Sequence, residues 1–521
     1  MELTWGPYTF AETAEAGTEH FLVVGATGSG KTTLIRRLMC DVFGNGGREE
    51  PPPPSRALVY DPKLEVISFL SRFPMNHNAR LKTLHPFDRR GHAWDLAKDI
   101  RGILEARQIA TNLIPSHRES GSNQFFVDAA RDLLAGVMLT FAKCLPDPDA
   151  WTFRDVLLAM LHQPYLEWVL SHDTDRDGKP FIQNERLKSS YLGSDPKRTD
   201  WRTVSNIRST INARLSVYEP VAAAWFEAWE AGRRFSVREW KDSTDTIVLG
   251  NDEAARVPID AINRALFKRI VELVLAKEEM PVEARRAGNG FSWFFLDEVR
   301  EAGELDGLSR LMTKGRSKGV CVVLGFQDIE GMRSAYGKEI ANEIAGQCGH
   351  AAFLRVSSET TAEWASKSFG EGRARTESET RGTQGFSQGE SQAVRRALFT
   401  TELLFLPQAG PGVGIPGAFK SIRGNIQTSG SGLMNWPQLM FPPTPEAGGE
   451  GRLSSANIEP LDTDDLILEP WTEADWVRLG LSGEPPSYRR QPEAGADRED
   501  PATSPEDIRR GIDELRGREE G

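Results

Sequence analysis

No run of about 18 apolar residues occurs anywhere in the 521-residue sequence, so no segment of it reads as a transmembrane helix. The opening residues, MELTWGPYTFAETAEAG, lack a basic stretch followed by an apolar one, so no signal peptide is expected. Cysteine is scarce. Cys40, Cys144, Cys321 and Cys348 lie far apart with no CxxC pair, which argues against a zinc or disulfide framework and for reduced thiols in a cytosolic protein. The eight histidines form no cluster at ligand spacing. A general excess of acid is missing too, despite a net charge of −12. From Phe441 to the end stand 20 acidic and 9 basic residues, so nearly all the acidity belongs to that tail. The rest is close to neutral and free to carry basic patches.

Short apolar runs alternate with amphipathic stretches. Strands are expected at Phe21–Val24, Ala57–Tyr60, Leu81–Leu84, Thr246–Leu249, Trp293–Leu296, Val320–Leu324 and Ala351–Arg355. Helical patterns between them predict an α/β fold with a mainly parallel sheet flanked by helices. From about Asp99 to Val217 the strand signal stops. NQFFVDAARDLLAGVMLTFAK, FRDVLLAMLHQPYLEWVL and WRTVSNIRSTINARLSVY carry helical spacing, which predicts an inserted all-α domain. The expected organisation is a lead over 1–19, a discontinuous nucleotide-binding domain over 20–104 and 216–426, and the insertion over 105–215. A Pro/Gly-rich acidic tail over 427–521 is expected to be mostly disordered. Short ordered segments are expected at TEADWVRLGL and SPEDIRRGIDELRGR.

GATGSGKT, between a strand and the helix TTLIRRLMCDVF, matches G-x-x-x-x-G-K-[ST]. Gly25, Ala26, Thr27, Gly28, Ser29, Gly30, Lys31, Thr32 and Thr33 would form a phosphate cradle at a helix N-terminus. Lys31 would reach the β- and γ-phosphates of ATP, and Thr32 would hold Mg²⁺. FSWFFLDEV ends an apolar strand in Asp297 and Glu298. The aspartate suits the Mg²⁺ water shell; the glutamate suits polarisation of an attacking water. Gln327, ending VCVVLGFQ, sits where a γ-phosphate sensor would stand. Arg316, in LMTKGRSKG, is a candidate arginine finger for a neighbour's phosphate. Between Arg186 and Arg214 there are seven basic and two acidic residues, with Tyr191 and Trp201 among them. Arg198, Arg202, Arg208 and Arg214 are the candidate DNA contacts.

The order of these motifs resembles the type IV secretion coupling proteins of the TraD/TrwB/TraG kind, over roughly residues 20–425. ALVYDPKLEV resembles that family's D-P-K-G-E strand, with Leu64 where glycine is usual. HPFDRRGHAWDLAKDIR, FFVDAARDLL, IAGQCGHAAFLRV, TAEWASKSFGE and FTTELLFLPQAGPGVGIPG are similar to further segments. The run from Trp293 to Gly370 carries the resemblance most specifically. It implies a RecA-like motor domain, a membrane-distal all-α domain and a hexameric ring around DNA. It also implies that Arg316 acts across the subunit boundary and that Gln327 senses nucleotide.

Typical members of that family have transmembrane helices ahead of the P-loop. About twenty polar residues stand here instead, so the expectation is a cytoplasmic motor without an anchor in cis. It would be recruited to the inner membrane by a separately encoded subunit, with relaxase or secretion-channel proteins as further partners. Two alternatives are an FtsK- or HerA-like translocase serving segregation, repair or defence, and a nucleotide-gated cargo adaptor. Glu298 argues against the adaptor, since a switch needs no hydrolytic glutamate.

Overall fold

The computed structural model describes residues 3–6, 8–10, 14–44, 53–71, 81–115, 122–193, 200–382, 385–396, 398–410, 413–423, 457–462 and 466–480. Eight strands form the main sheet. They are β1 (Phe21–Val24), β2 (Arg56–Asp61), β3 (Leu81–Thr83), β4 (Thr246–Gly250), β5 (Ser292–Leu296), β6 (Val320–Phe326), β7 (His350–Leu354) and β8 (Gly417–Ser421). Their order across the sheet is β8-β7-β1-β6-β5-β2-β4-β3, and only β8 runs antiparallel to its neighbour.

All seven expected strands are present, with ends shifted by a residue or two. The central ones are largely apolar runs because both faces of the sheet are covered, whereas β3, Leu81–Thr83, carries Lys82 and Thr83. In β1 the side chains alternate between two cores. Phe21 and Val23 join Leu34, Leu38, Trp293 and Phe295 on the side of helix α1 (Lys31–Phe43). Leu22 and Val24 join Phe294, Leu296, Val322 and Leu324 on the opposite side. Register follows from this period of two, since a slip of one residue would exchange the cores. Strand β8 was not expected from the sequence. GAFKS mixes small, charged and polar residues, as an edge strand tolerates. Two further pairings were also unforeseen, Leu3–Trp5 with Tyr8–Phe10 and Glu371–Gly382 with Gly385–Arg396.

Between β3 and β4 the chain is mainly helical. Ile103–Leu113, Ser122–Cys144, Phe153–Leu161, Gln163–Leu170, Ile182–Leu187, Trp201–Leu215 and Glu219–Glu230 are helices. Thr152 and Asp155 close a reciprocal capping box at the start of Phe153–Leu161. Among the described residues of this region, the only strands are the two-residue pair Ala93–Trp94 and Arg234–Phe235.

TEADWVRLGL contains the helix Glu473–Leu479, whereas SPEDIRRGIDELRGR lies outside the described residues. The segment leading to that helix straps two parts of the fold together. Arg89 N–H donates to Glu459 O and Leu461 N–H to Phe87 O, beside the sheet. Further along, Trp471 stacks on Tyr165 with ring centroids 4.4 Å apart, and its Nε1 donates to Asp155 Oδ1 at 2.8 Å. Arg478 pairs with Asp155 at 2.9 Å and Asp475 at 2.8 Å, and Arg154 pairs with Asp475 at 3.1 Å. Two cations and two carboxylates thus neutralise one another where none could be buried singly.

Trp471→Ala removes the stacked ring and one donor to Asp155, at a cost of about 3–5 kcal/mol to the docked strap. Limited proteolysis within 457–480 is expected to accelerate about tenfold or more, with far-UV circular dichroism unchanged. An unaltered cleavage rate would show that the ring does not hold the strap.

Candidate active site

The C-terminal ends of β1, β5, β6 and β2 converge on one edge of the sheet. Leaving β1, Gly25 N–H donates to Phe326 O at 3.2 Å and Ala26 N–H to Arg355 O at 2.7 Å, which ties the loop to two neighbouring segments. Gly28 and Gly30 have φ of 75° and 98°, in the left-handed region where a side chain is strained. A Cβ on Gly28 would also lie 2.4 Å from Gln408 Nε2. Ser29 Oγ is buried and has no hydrogen-bond partner among the described residues. These features fit a loop shaped for phosphate at the head of α1. Thr32 Oγ1 donates to Asp297 Oδ2 at 2.7 Å, so the two expected Mg²⁺ ligands already meet. Among the described residues no three His, Cys, Asp or Glu side chains cluster around a metal position. A hydroxyl and one carboxylate suit Mg²⁺, which takes most of its ligands from phosphate and water.

Glu298 is the centre of the polar network. Its φ of 50° is a left-handed conformation for a non-glycine residue. Its Oε1 lies 3.4 Å from Lys31 Nζ and 3.2 Å from Lys63 Nζ, and accepts a hydrogen bond from Gln327 Nε2 at 3.1 Å. Burial pushes this carboxyl up, but Lys31, Lys63 and the Gln327 hydrogen bond together hold it below its ordinary range. Asp297 is shifted the other way. Burial raises it and the Thr32 hydrogen bond only partly offsets that. The adjacent carboxylates are therefore driven apart, as groups with different tasks often are. Lys63 is held above the ordinary lysine range; burial lowers it, and Glu298 and Asp297 outweigh that.

Lys63 and Gln408 were not singled out in the sequence as site residues. Lys63 lies in the DPK stretch, but its meeting with Glu298 depends on β2 and β5 being neighbours. The turn that carries Lys63 is built deliberately. Asp61 Oδ2 accepts from Val66 N–H at 2.7 Å, and Leu64 N–H donates to Asp61 O at 3.3 Å. Leu64 has φ of 53°, which gives the glycine usual at this position a physical reason.

The other expected residues lie elsewhere. Arg316 precedes β6 at the opposite edge of the sheet, where its Nη2 is 3.1 Å from Glu19 Oε1. It lines a cleft of about 570 Å³ with Glu19, Met312 and Lys420. Burial raises Glu19, but hydrogen bonds from His350 and Arg423 hold it down at about 2. Arg316 therefore does not reach its own chain's phosphate loop. Arg198 lies outside the described residues. Arg202, Arg208 and Arg214 all lie on the helix Trp201–Leu215, but their spacing of six turns each about 240° from the last, so they share no face. Arg202 and Trp201 are exposed, and Arg208 Nη1 donates to Gln163 Oε1.

At Leu64 the usual order of two substitutions should invert. Leu64→Gly and Leu64→Ala both lose the side chain, but alanine keeps the left-handed strain. The glycine variant is expected to be more stable by about 1 kcal/mol in denaturant unfolding. A more stable alanine variant would contradict the left-handed turn.

Several solved structures resemble this fold. The unbound bacterial conjugative coupling protein TrwBdeltaN70 matches with a TM-score of 0.59 and 19% identity, over 82% of this chain and 87% of that one. The plasmid coupling protein TrwB in complex with ADP and Mg²⁺ matches at 0.54 and 20%, over 79% and 84%. The same protein with a non-hydrolysable ATP analogue matches at 0.53 and 19%, also over 79% and 84%. These likenesses establish a TrwB-like, RecA-like fold. No curated protein matches the sequence. The family model for the type IV secretion-system coupling protein DNA-binding domain matches residues 9–163 and 182–426, about three quarters of the chain. On that match, together with the fold and the assembled phosphate-loop edge, the chain belongs to the type IV secretion-system coupling protein family.

Proposed function

We propose that this protein is an ATP-hydrolysing DNA motor of the conjugative coupling type, which moves DNA or couples a DNA–protein substrate to a secretion channel. The carrying observation is the meeting of Lys31, Asp297, Glu298 and Gln327 at one sheet edge. A binding-only site does not need a carboxylate poised beside its phosphate lysine. The family's DNA-binding domain and the structures of TrwB with ADP, Mg²⁺ and nucleotide analogues support ATP, Mg²⁺ and DNA as ligands.

Each residue then has a task. The Gly25–Thr33 loop presents backbone N–H groups to the phosphates, and Lys31 adds a charge between β and γ. Bound Mg²⁺, held through Thr32 and Asp297, would neutralise charge on the phosphate oxygens. Glu298 orients a water and accepts its proton as the water oxygen bonds to the γ-phosphorus. The bond from that phosphorus to the β–γ bridging oxygen breaks, releasing ADP and phosphate. Gln327, bonded to Glu298, reports whether the γ-phosphate is present. Arg316 serves a neighbour's site, because it stands at the far edge of its own sheet. That division of labour favours a ring of identical chains, a hexamer by analogy with the family. The helical insertion, with exposed Arg202 and Trp201, is the part that meets DNA. Among the described residues no helix is long and apolar enough to cross a membrane.

ATP turnover is expected to rise when single- or double-stranded DNA is added at protein concentrations that permit assembly. Lys31→Ala and Glu298→Gln should each lower kcat about 100-fold or more. Arg316→Ala should lower it comparably or further, and only in the assembled state. A rate indifferent to DNA would favour an adaptor over a motor, and normal turnover by assembled Arg316→Ala would remove the finger.

A further inference from the structure

Glu298 Oε1 is shared by two lysines of different character. Lys31 is buried, fixed by the phosphate loop, and 3.4 Å away. Lys63 is half exposed on the turn after β2, and closer at 3.2 Å. Only one of them can leave without consequence. A phosphate in the loop draws Lys31 away, because the loop holds that amine where the phosphate oxygens must go. Without Lys63, Glu298, its side chain only 7% exposed, would then keep a full negative charge with neutral Gln327 as its sole remaining partner of the three. An unpaired carboxylate at that depth is costly, and the cost would appear as weaker nucleotide binding.

We infer that Lys63 is a positioning residue that serves as the standing counter-ion of Glu298, and so releases Lys31 to the phosphates. The inference rests on the ATPase reading and assigns Lys63 a task within it. The turn is built for this. Asp61 accepts from the first N–H of the helix Val66–Leu70, and left-handed Leu64 turns the chain back, so that Lys63 faces the tip of the neighbouring β5. Exchange of counter-ions also keeps Glu298 oriented. Lys63 and Gln327 both bind Oε1, which leaves Oε2 for water.

The exchange predicts a suppression pattern that simple loss of structure would not give. Affinity for ATP with Mg²⁺ is measured by calorimetry on the full chain. Lys63→Met is expected to raise the Kd about tenfold, because Lys31 becomes the only cation left to Glu298. Lys63→Arg, which keeps the charge, should bind within about twofold of the unsubstituted protein. Glu298→Gln added to Lys63→Met should restore the affinity, since no charge then competes for Lys31. Melting curves of all variants establish that each is folded. Two results overturn the inference: Lys63→Met binding ATP like the unsubstituted protein, or a defect that Glu298→Gln does not correct. The second would place Lys63 on the nucleotide itself. If the unsubstituted protein neither binds nor hydrolyses ATP, the ATPase reading fails instead.

Discussion

A carboxylate buried at the tip of β5 must have its charge matched, and the active edge is arranged around that requirement. Glu298 cannot sit at the end of an apolar strand unless cations come to it. Lys31 comes from the loop after β1, Lys63 from the turn after β2, and Gln327 from the end of β6. These four strands are neighbours in the sheet, in the order β1-β6-β5-β2. The sheet's topology therefore brings together three segments that are remote in sequence, and the chemistry needs all of them. The pairing also makes the site a two-position device. With the phosphate loop empty, both lysines share one carboxylate; with phosphate bound, they divide between two anions.

The rest of the fold holds this edge still. Both faces of the sheet are covered, so its central strands are largely apolar and their register is fixed by two cores. The helical insertion is part of one of those cores. Residues 457–462 and 466–480 add a constraint beyond the span matched by the family model, which ends at residue 426. Their contacts with Phe87 and Arg89 on one side, and with Arg154, Asp155 and Tyr165 on the other, tie the insertion to the sheet. In the proposed motor, this tie would carry nucleotide state from the sheet to the insertion.

Much of this was legible in the sequence because doubly covered parallel strands leave unbroken apolar runs. The phosphate loop and the acidic strand end were legible for the same reason, each being local to one strand and its exit. Relations that depend on strand order were not. Lys63 stands in a stretch whose likeness to the family was plain, yet nothing local says that it faces Glu298. Gln408 covers a loop some 380 residues earlier in the chain, which no spacing rule reaches. Edge strand β8 was missed because edges tolerate polar residues. The basic run before Arg214 suited a nucleic-acid backbone, and a spacing of six on a helix distributes Arg202, Arg208 and Arg214 around the axis.

The most direct measurement is a structure of the assembled protein with a non-hydrolysable ATP analogue and Mg²⁺. Lys31 Nζ is expected on the β- and γ-phosphate oxygens and out of contact with Glu298, while Lys63 Nζ remains within about 3.5 Å of Glu298 Oε1. Lys31 still paired to Glu298 with nucleotide bound, or Lys63 turned away from it, would contradict the exchange on which the account depends.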